Sequence, residues 1–430
     1  MARIRPERRT PVDLAVTAAI LVAILVAGLV IWANSPVRQS ESVQAAAPVP
    51  EVEPSSAVPA NLAPAWRARS SATQTPAIAE ATVVTADGGA VVGRDPQSGR
   101  EVWQYRRNLD LCAVIAAWPS SNNKVLAAYR NARGCGEVTA LDASSGSRAG
   151  SRSSDADDRV HLVSDSGYVV SQGPTRLETW GSNLVRGIEY GRVDAPVNPG
   201  VQPGRQDCLL YSSAVGGSRV AVIERCGDEP GYRLTVLGAV LDDDEDVEQH
   251  GSSLITDGTD GPPPVLIGMS SSAIAIYDGG ANPPMPTSDA PAPGAPAPPT
   301  PTIRQFTTDG VPAATNTVSG TPDPPAGVAV TSGGLTSYFT GEATVVMDAA
   351  NLRPIYQVPG AIGTGDVMAG QLLLPTPAGV SVRDAATGRE LRAIALPRDG
   401  RRDDQPVSLR VLGATVVEQW GTTVQAYRPQ

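Results

Sequence analysis

The chain has 430 residues, 43 of them glycine and 39 proline, with 4% aromatic and 18% charged residues. Such a balance favours many turns and few long amphipathic helices. The net charge is -10, with +2 in the first 13 residues and -12 in the remainder; an acidic body repels nucleic-acid phosphates and argues against DNA or RNA binding.

The first predicted element is a membrane span. Leu14 to Trp32, LAVTAAILVAILVAGLVIW, runs 19 residues without a charge. A helix of that length reaches roughly 28 Å, close to the hydrocarbon thickness of a bilayer. Arg3, Arg5, Arg8 and Arg9 precede it, and Trp32 stands where an interfacial aromatic belongs. The positive-inside rule then keeps residues 1–13 in the cytoplasm as a basic tail and exports the rest. A cleaved signal peptide is the alternative, but its apolar region is usually about 7–15 residues. The best small-residue site, Ala45 and Ala47, is followed by Pro48, and no cysteine follows the span to accept a lipid. Arg8-Arg9 could open a twin-arginine signal, but Thr10-Pro11 continues it poorly.

Residues 33–75 are rich in Ala, Pro and Ser and read as a disordered, extended stalk. Trp66 either docks on the following domain or is a linker aromatic. From residue 76 to 430, short β-rich runs alternate with Gly, Asp, Asn and Ser turns, the pattern of an all-β array. Cys112 and Cys135, and likewise Cys208 and Cys226, each bracket two apolar strands joined by a small polar turn. A hairpin of that length brings its ends within disulfide reach, which predicts Cys112–Cys135 and Cys208–Cys226. Such bonds persist in an oxidising, extracytoplasmic compartment.

Repeats organise the array. VVGRDPQSGREVWQY (Val91 to Tyr105) and VSVRDAATGRELRAI (Val380 to Ile394) share a strand, an aspartate, a turn closing on glycine and an outgoing strand. A partial copy lies at Asp142 to Gly146. Asp95, Asp142 and Asp384 suit Asx turns, in which the carboxylate binds backbone amides. Gly99, Gly146 and Gly388 can take positive φ without steric cost. Eight rough units fall between Ile78 and Tyr427. A ring must join its ends to avoid open sheet edges, so the first and last units are expected to share a blade. The expected fold is a β-propeller of seven blades, with eight as the alternative.

The V-x-x-x-D-x-x-[ST]-G-[KR]-E-[LV] spacing at Val91 to Trp103 and Val380 to Arg392 resembles the repeat of PQQ-type quinoprotein β-propellers. Anchor plus propeller also resembles the alanine/valine-rich, membrane-anchored propeller proteins of actinobacterial envelopes. The first resemblance implies the structural repeat. It carries over no cofactor-binding residue, and no cofactor is expected.

One insertion, residues 279–302, is proline-rich and reads as an extended loop that interrupts a blade or docks a partner. There are only two histidines, His161 and His250, and neither sits in a nucleophile elbow or an H-E-x-x-H helix. His161 reads as an ordinary strand residue. The acidic run Leu241 to His250 reads as a solvated turn or a weak calcium loop, without the central glycine of an EF-hand; Ser154 to Asp158 and Asp257 to Gly261 pose the same choice. No catalytic or metal residues are assigned. The expected function is a membrane-anchored, extracytoplasmic scaffold for an envelope protein partner. A glycan or small-ligand sensor is the second expectation, and a PQQ-dependent oxidoreductase the third.

Overall fold

The computed structural model describes residues 10–33, 35, 38–118, 123–193, 204–285, 300–325 and 327–430. Its one long helix is Pro11–Ala33, slightly longer than the apolar run. The start is set locally. The Thr10 hydroxyl accepts the Asp13 amide at 3.2 Å, and the Asp13 carboxylate accepts the Thr10 amide at 2.7 Å. That is a reciprocal capping box, with Pro11 at the first helical position, where its missing N–H costs nothing. No helix residue is buried, so an apolar cylinder stands free of the protein body.

The remaining described residues form eight blades with four antiparallel strands each, in order Ala77–Arg107, Leu111–Ser153, His161–Gly191, Leu209–Leu254, Val265–Thr317, Val330–Pro359, Asp366–Ala395 and a last one built on Val407–Pro429, to which the short strand Gly363–Thr364 adds in parallel. Each blade is an up-and-down meander. The first strands touch one another around the axis: Leu111–Ala117 contacts both Ala77–Ala79 and His161–Ser164, and Val407–Leu412 contacts Ala77–Ala79 and so returns to the start. Second and third strands are covered on both faces and are buried at nearly all but their end residues, as in Thr82–Asp87 and Arg219–Arg225. Fourth strands lie at the rim and alternate. In Glu101–Arg107, Trp103 and Tyr105 are buried while Gln104 is half-buried and Arg106 exposed, the period of two expected of a strand with one wet face.

The blade number is eight, the alternative rather than the preferred count. The reason lies in the closure. The last unit supplies only three strands, Val407–Leu412, Thr415–Trp420 and Thr423–Pro429. Its fourth strand is Leu62–Arg69, antiparallel to Thr423–Pro429 with Leu62 opposite Pro429 and Arg69 opposite Thr423. The first unit therefore keeps its own complete blade, and the ends meet through a strand from the supposed stalk.

The expected disordered stalk is corrected at a second place. Ser40–Val43 adds a fifth strand to the rim of blade 1, with Ser40 opposite Arg107 and Val43 opposite Gln104. Between these two strands the chain stays on the propeller. The Ala45 and Val49 amides donate to Ser145 and Ser144 of blade 2. Val52 packs with Leu412 and Val417 of blade 8. Arg392 of blade 7 donates to the carbonyls of Val58, Pro59 and Ala60.

Strand direction sorts the connections onto two faces. Links between the second and third strands, and between consecutive blades, emerge on one face, which we call the upper. Links between first and second, and third and fourth, strands emerge on the lower face, where residues 45–60 also run. The upper face carries the blade 4–5 connection and the described ends of the blade 3–4 connection, whose residues 194–203 lie outside the described ones, and of the proline-rich insertion. The middle of that insertion, 286–299, lies outside the described residues. Its first arm is fixed: buried Asn282 accepts the Gly261 amide at 2.9 Å and donates to the Pro262 carbonyl at 3.0 Å.

Candidate functional site

The residues singled out by the repeat do structural work at the blade junctions. The Asp95 carboxylate accepts the Ser98 amide and hydroxyl at 2.8 and 2.7 Å, and the Gly99 amide donates to the Asp95 carbonyl at 2.9 Å. Asp142 does the same with Ser145 and Gly146, and Asp384 with Thr387 and Gly388. The three glycines have φ of +71°, +70° and +70°. Partial burial raises the Asp95 and Asp142 carboxyls, but hydrogen bonds from Ser98 and Ser145 outweigh it and hold both below the ordinary range.

Positive φ is only half of the glycine requirement. Each glycine also receives an aromatic ring from the rim strand of the preceding blade. A Cβ on Gly99 would lie 2.4 Å from Trp66, one on Gly146 2.6 Å from Trp103, and one on Gly388 2.5 Å from Tyr356. Each ring then donates a hydrogen bond into the same turn. Trp66 Nε1 reaches the Pro96 carbonyl at 2.8 Å, Trp103 Nε1 the Ala143 carbonyl at 2.9 Å, and the Tyr356 hydroxyl the Ala385 carbonyl at 2.8 Å. Trp66 is thus a docked residue of the closing strand, the equivalent of Trp103. The recurrence of an aromatic in the rim strand was the signal for it.

Both predicted disulfides are present, Cys112–Cys135 and Cys208–Cys226. The second closes a hairpin as expected, just beyond the pair Leu209–Arg225. The first does not join hairpin mates. Cys112 is the extra residue of a bulge in the first strand of blade 2, and Cys135 lies in the third strand. Both bonds staple the upper ends of their blades.

A cavity of about 670 Å³ opens on the upper face between blades 2 and 3. Arg133, Arg152, Arg176, Arg186 and Arg192 line it, with Asp155, Asp157, Asp158 and Glu189. Charges of opposite sign interlock around it. Glu178, behind the wall, accepts Arg176 at 2.7 Å, Arg152 at 3.2 Å and the Trp180 indole at 3.0 Å. Glu189 joins Arg176 and Arg186. Arg192 holds Asp155 at 2.8 Å, and Asp157 accepts the Thr175 and Arg176 amides. Burial disfavours the charge on Arg152 and Arg176; in Arg176 the two glutamates overcome it and raise its pKa. The result is a rigid, polar hollow of near-balanced charge. Sequence reading placed SDADD at a turn but had no means of bringing it to Arg176 and Arg192.

His161 and His250 do not meet. His161 opens the first strand of blade 3, with the Gln74 amide nitrogen 2.6 Å from its Nδ1, and His250 lies beside Glu248 on blade 4. In the acidic run, the Asp242 carboxylate accepts the amides of Asp244 and Asp246, so this acid organises its own turn. Among the described residues, no three His, Cys, Asp or Glu side chains gather in a metal-holding group.

No protein-family model matches the chain, and no curated protein sequence matches it. Solved structures do. The computationally designed Ika8 protein superposes with a TM-score of 0.50 at 13% identity, covering 88% of this chain and 98% of its own. BamB from Moraxella catarrhalis gives 0.48 at 12%, with 85% and 99% covered, and the Pan2 WD40 domain of Neurospora crassa 0.40 at 11%, with 74% and 89%. At such identities the likeness concerns the fold alone.

Proposed function

We propose that the chain is a single-pass membrane protein whose propeller stands on the extracytoplasmic side and holds its upper face toward a protein partner of the cell envelope. The observation that supports this most is the inequality of the two faces. The lower face is built mostly of short turns, three of them of the Asp–Gly kind, with the acidic link 239–248 of blade 4 as the long exception, and residues 45–60 run along it under blades 2, 7 and 8; most long connections, the proline-rich arm and both disulfides belong to the upper face. A rigid ring that keeps most of its long loops on one side is suited to binding rather than to turnover. The disulfides and the free apolar helix support export and anchorage. Photo-crosslinkers placed one at a time on the two faces of the full chain in membranes test the reading. Discrete adducts of one size from upper-face positions such as Pro230, and none from lower-face positions such as Gln97, are expected; adducts of every size from both faces, or none, contradict it.

A second reading rests on the cavity between blades 2 and 3, whose interlocked arginines and carboxylates suit a sugar or a zwitterion. A rise in melting temperature with wall sugars, abolished by Arg192→Ala, would favour it over the scaffold.

A further inference from the structure

The upper face is divided by charge. Around the point where the anchor joins the propeller, Arg38, Arg69, Arg106, Arg130, Arg133 and Arg159 are all exposed. The acids near them are exposed Glu41, opposite Arg106 on the rim, exposed Asp110 and Asp158, and Asp87, which pairs with Arg69 at 3.1 Å. Across the ring, the upper connections of blades 4 to 6 expose Asp207, Asp228, Asp257, Asp260, Asp323 and Glu342, and no exposed Lys or Arg among the described residues. Among the described residues of an acidic body (net -12), exposed arginines thus outnumber exposed acids at this edge, and the reverse holds across the ring.

That place is next to the membrane by covalent necessity. The helix ends at Ala33, and Ser40 is already paired with Arg107 at the upper end of the blade 1 rim. Six residues intervene, a reach of at most about 25 Å, against roughly 150 Å for the forty-odd residues of a free stalk. The Asn108 amide donates to the Gln39 carbonyl at 3.1 Å, so the junction is fastened to the residues that follow the blade 1 rim strand. Within such a reach the rim patch is held near lipid headgroups, where unscreened attraction extends about 8–10 Å.

We propose that the upper edge of blades 1 to 3 docks on anionic lipid headgroups. The basic edge lies down on the bilayer, and the acidic far edge, repelled by the same headgroups, tilts away and leaves the upper loops of blades 4 to 6 open to solvent. The proposal rests on the membrane-anchor reading above and adds the orientation and the lipid chemistry. It does not use the apolar face of any element. The patch and the tether are independent observations that point to the same edge.

The test uses the full chain in vesicles of phosphatidylcholine, with or without phosphatidylglycerol, and lipids carrying a headgroup quencher. Fluorophores are attached singly at Ala132→Cys in the blade 2 upper turn, Pro230→Cys in the blade 4 upper turn and Gln97→Cys on the lower face. With phosphatidylglycerol, quenching at residue 132 is expected to exceed that at residues 230 and 97 at least twofold. The excess should shrink in high salt, in pure phosphatidylcholine and in the charge-reversed variant Arg106→Glu/Arg130→Glu/Arg133→Glu/Arg159→Glu. Circular dichroism and retention of both disulfides check that variant's fold. Equal quenching at all three sites, or quenching indifferent to lipid charge, overturns the docking while leaving the anchor intact. Release of the chain by alkaline carbonate overturns the anchor, and the docking with it.

Discussion

Two kinds of blade junction occur in this ring, and they solve one steric problem in opposite ways. At blades 1, 2 and 7 the third-to-fourth-strand turn ends on a glycine at positive φ, and a ring from the preceding rim fills the space where a Cβ would be. At blades 3 and 6 the comparable positive-φ residue is a leucine: Leu184 at +61° and Leu352 at +54°, both buried. The preceding rim strands, Arg148–Ser153 and Pro312–Thr317, have no aromatic residue to send. At blade 3 the geometry is inverted, since a Cβ added to rim residue Gly150 would lie 3.4 Å from Leu184 Cδ1. The Asp348 carboxylate still accepts the Ala350 and Asn351 amides, and Leu352 still donates to the Asp348 carbonyl. At blade 6 the turn is therefore set by the aspartate without a glycine, whereas blade 5 keeps a glycine at positive φ, Gly310 at +74°, with no ring against it; a neighbour's ring is one reason for glycine and not the only one. A left-handed leucine costs roughly 1–2 kcal/mol in backbone strain; burial of its side chain offsets that.

The largest way to break the comparison is Trp103→Ala. It removes a fully buried ring and its hydrogen bond, and should cost about 4 kcal/mol in chemical denaturation. Gly146→Ala follows at about 3 kcal/mol, combining the left-handed penalty with overpacking against Trp103. The two should not add. In a Trp103→Ala background the alanine has no ring to meet, and its cost should fall to about 1 kcal/mol, a coupling readable in a double-mutant cycle. Additive costs would show that the ring does not determine the glycine. Leu352→Gly should destabilise by about 2 kcal/mol despite relieving its φ, because no ring replaces the lost side chain. Stabilisation there would mean that backbone strain outweighs packing.

The smallest effects concern the aspartate. Asp142→Ala should cost about 1 kcal/mol, the scale of a lost helix cap. The Asp142 carboxyl lies below its ordinary value of 3.8 in the folded state. Its stabilisation is therefore complete above the unfolded value and lost as pH falls through the lowered folded one. Asp142→Asn keeps an acceptor without a titrating proton, so its melting temperature should fall less than the parent's between about pH 4 and pH 2. Equal acid sensitivity would remove this turn from the explanation.

What was legible follows from range. The Asp–Gly turns and the second disulfide are settled within about 20 residues by local geometry, and VVGRDPQSGREVWQY states its own hairpin. The closing strand is not local. Arg67 and Trp66 bind Gln425 across 358 and 359 positions. LAPAWRAR, rich in Ala and with Pro64, has the composition of a linker until its partner strand is known. The blade count goes with it: the expectation that the first and last units share a blade fails because Leu62–Arg69 supplies the closing strand. The cavity between blades 2 and 3 was invisible for the same reason. Its pairs, such as Arg152 with Glu178 and Arg192 with Asp155, join residues 26 and 37 apart in no motif that spacing would reveal.

The central claim is that the residues just after the apolar helix close the ring instead of suspending it. Amide hydrogen exchange on the full chain, resolved by peptide, tests this most directly. Leu62–Arg69 should be protected to the same degree as Thr423–Pro429, and both should open together on mild denaturation. Exchange of 62–69 at the rate of an unstructured chain, with 423–429 still protected, would contradict it.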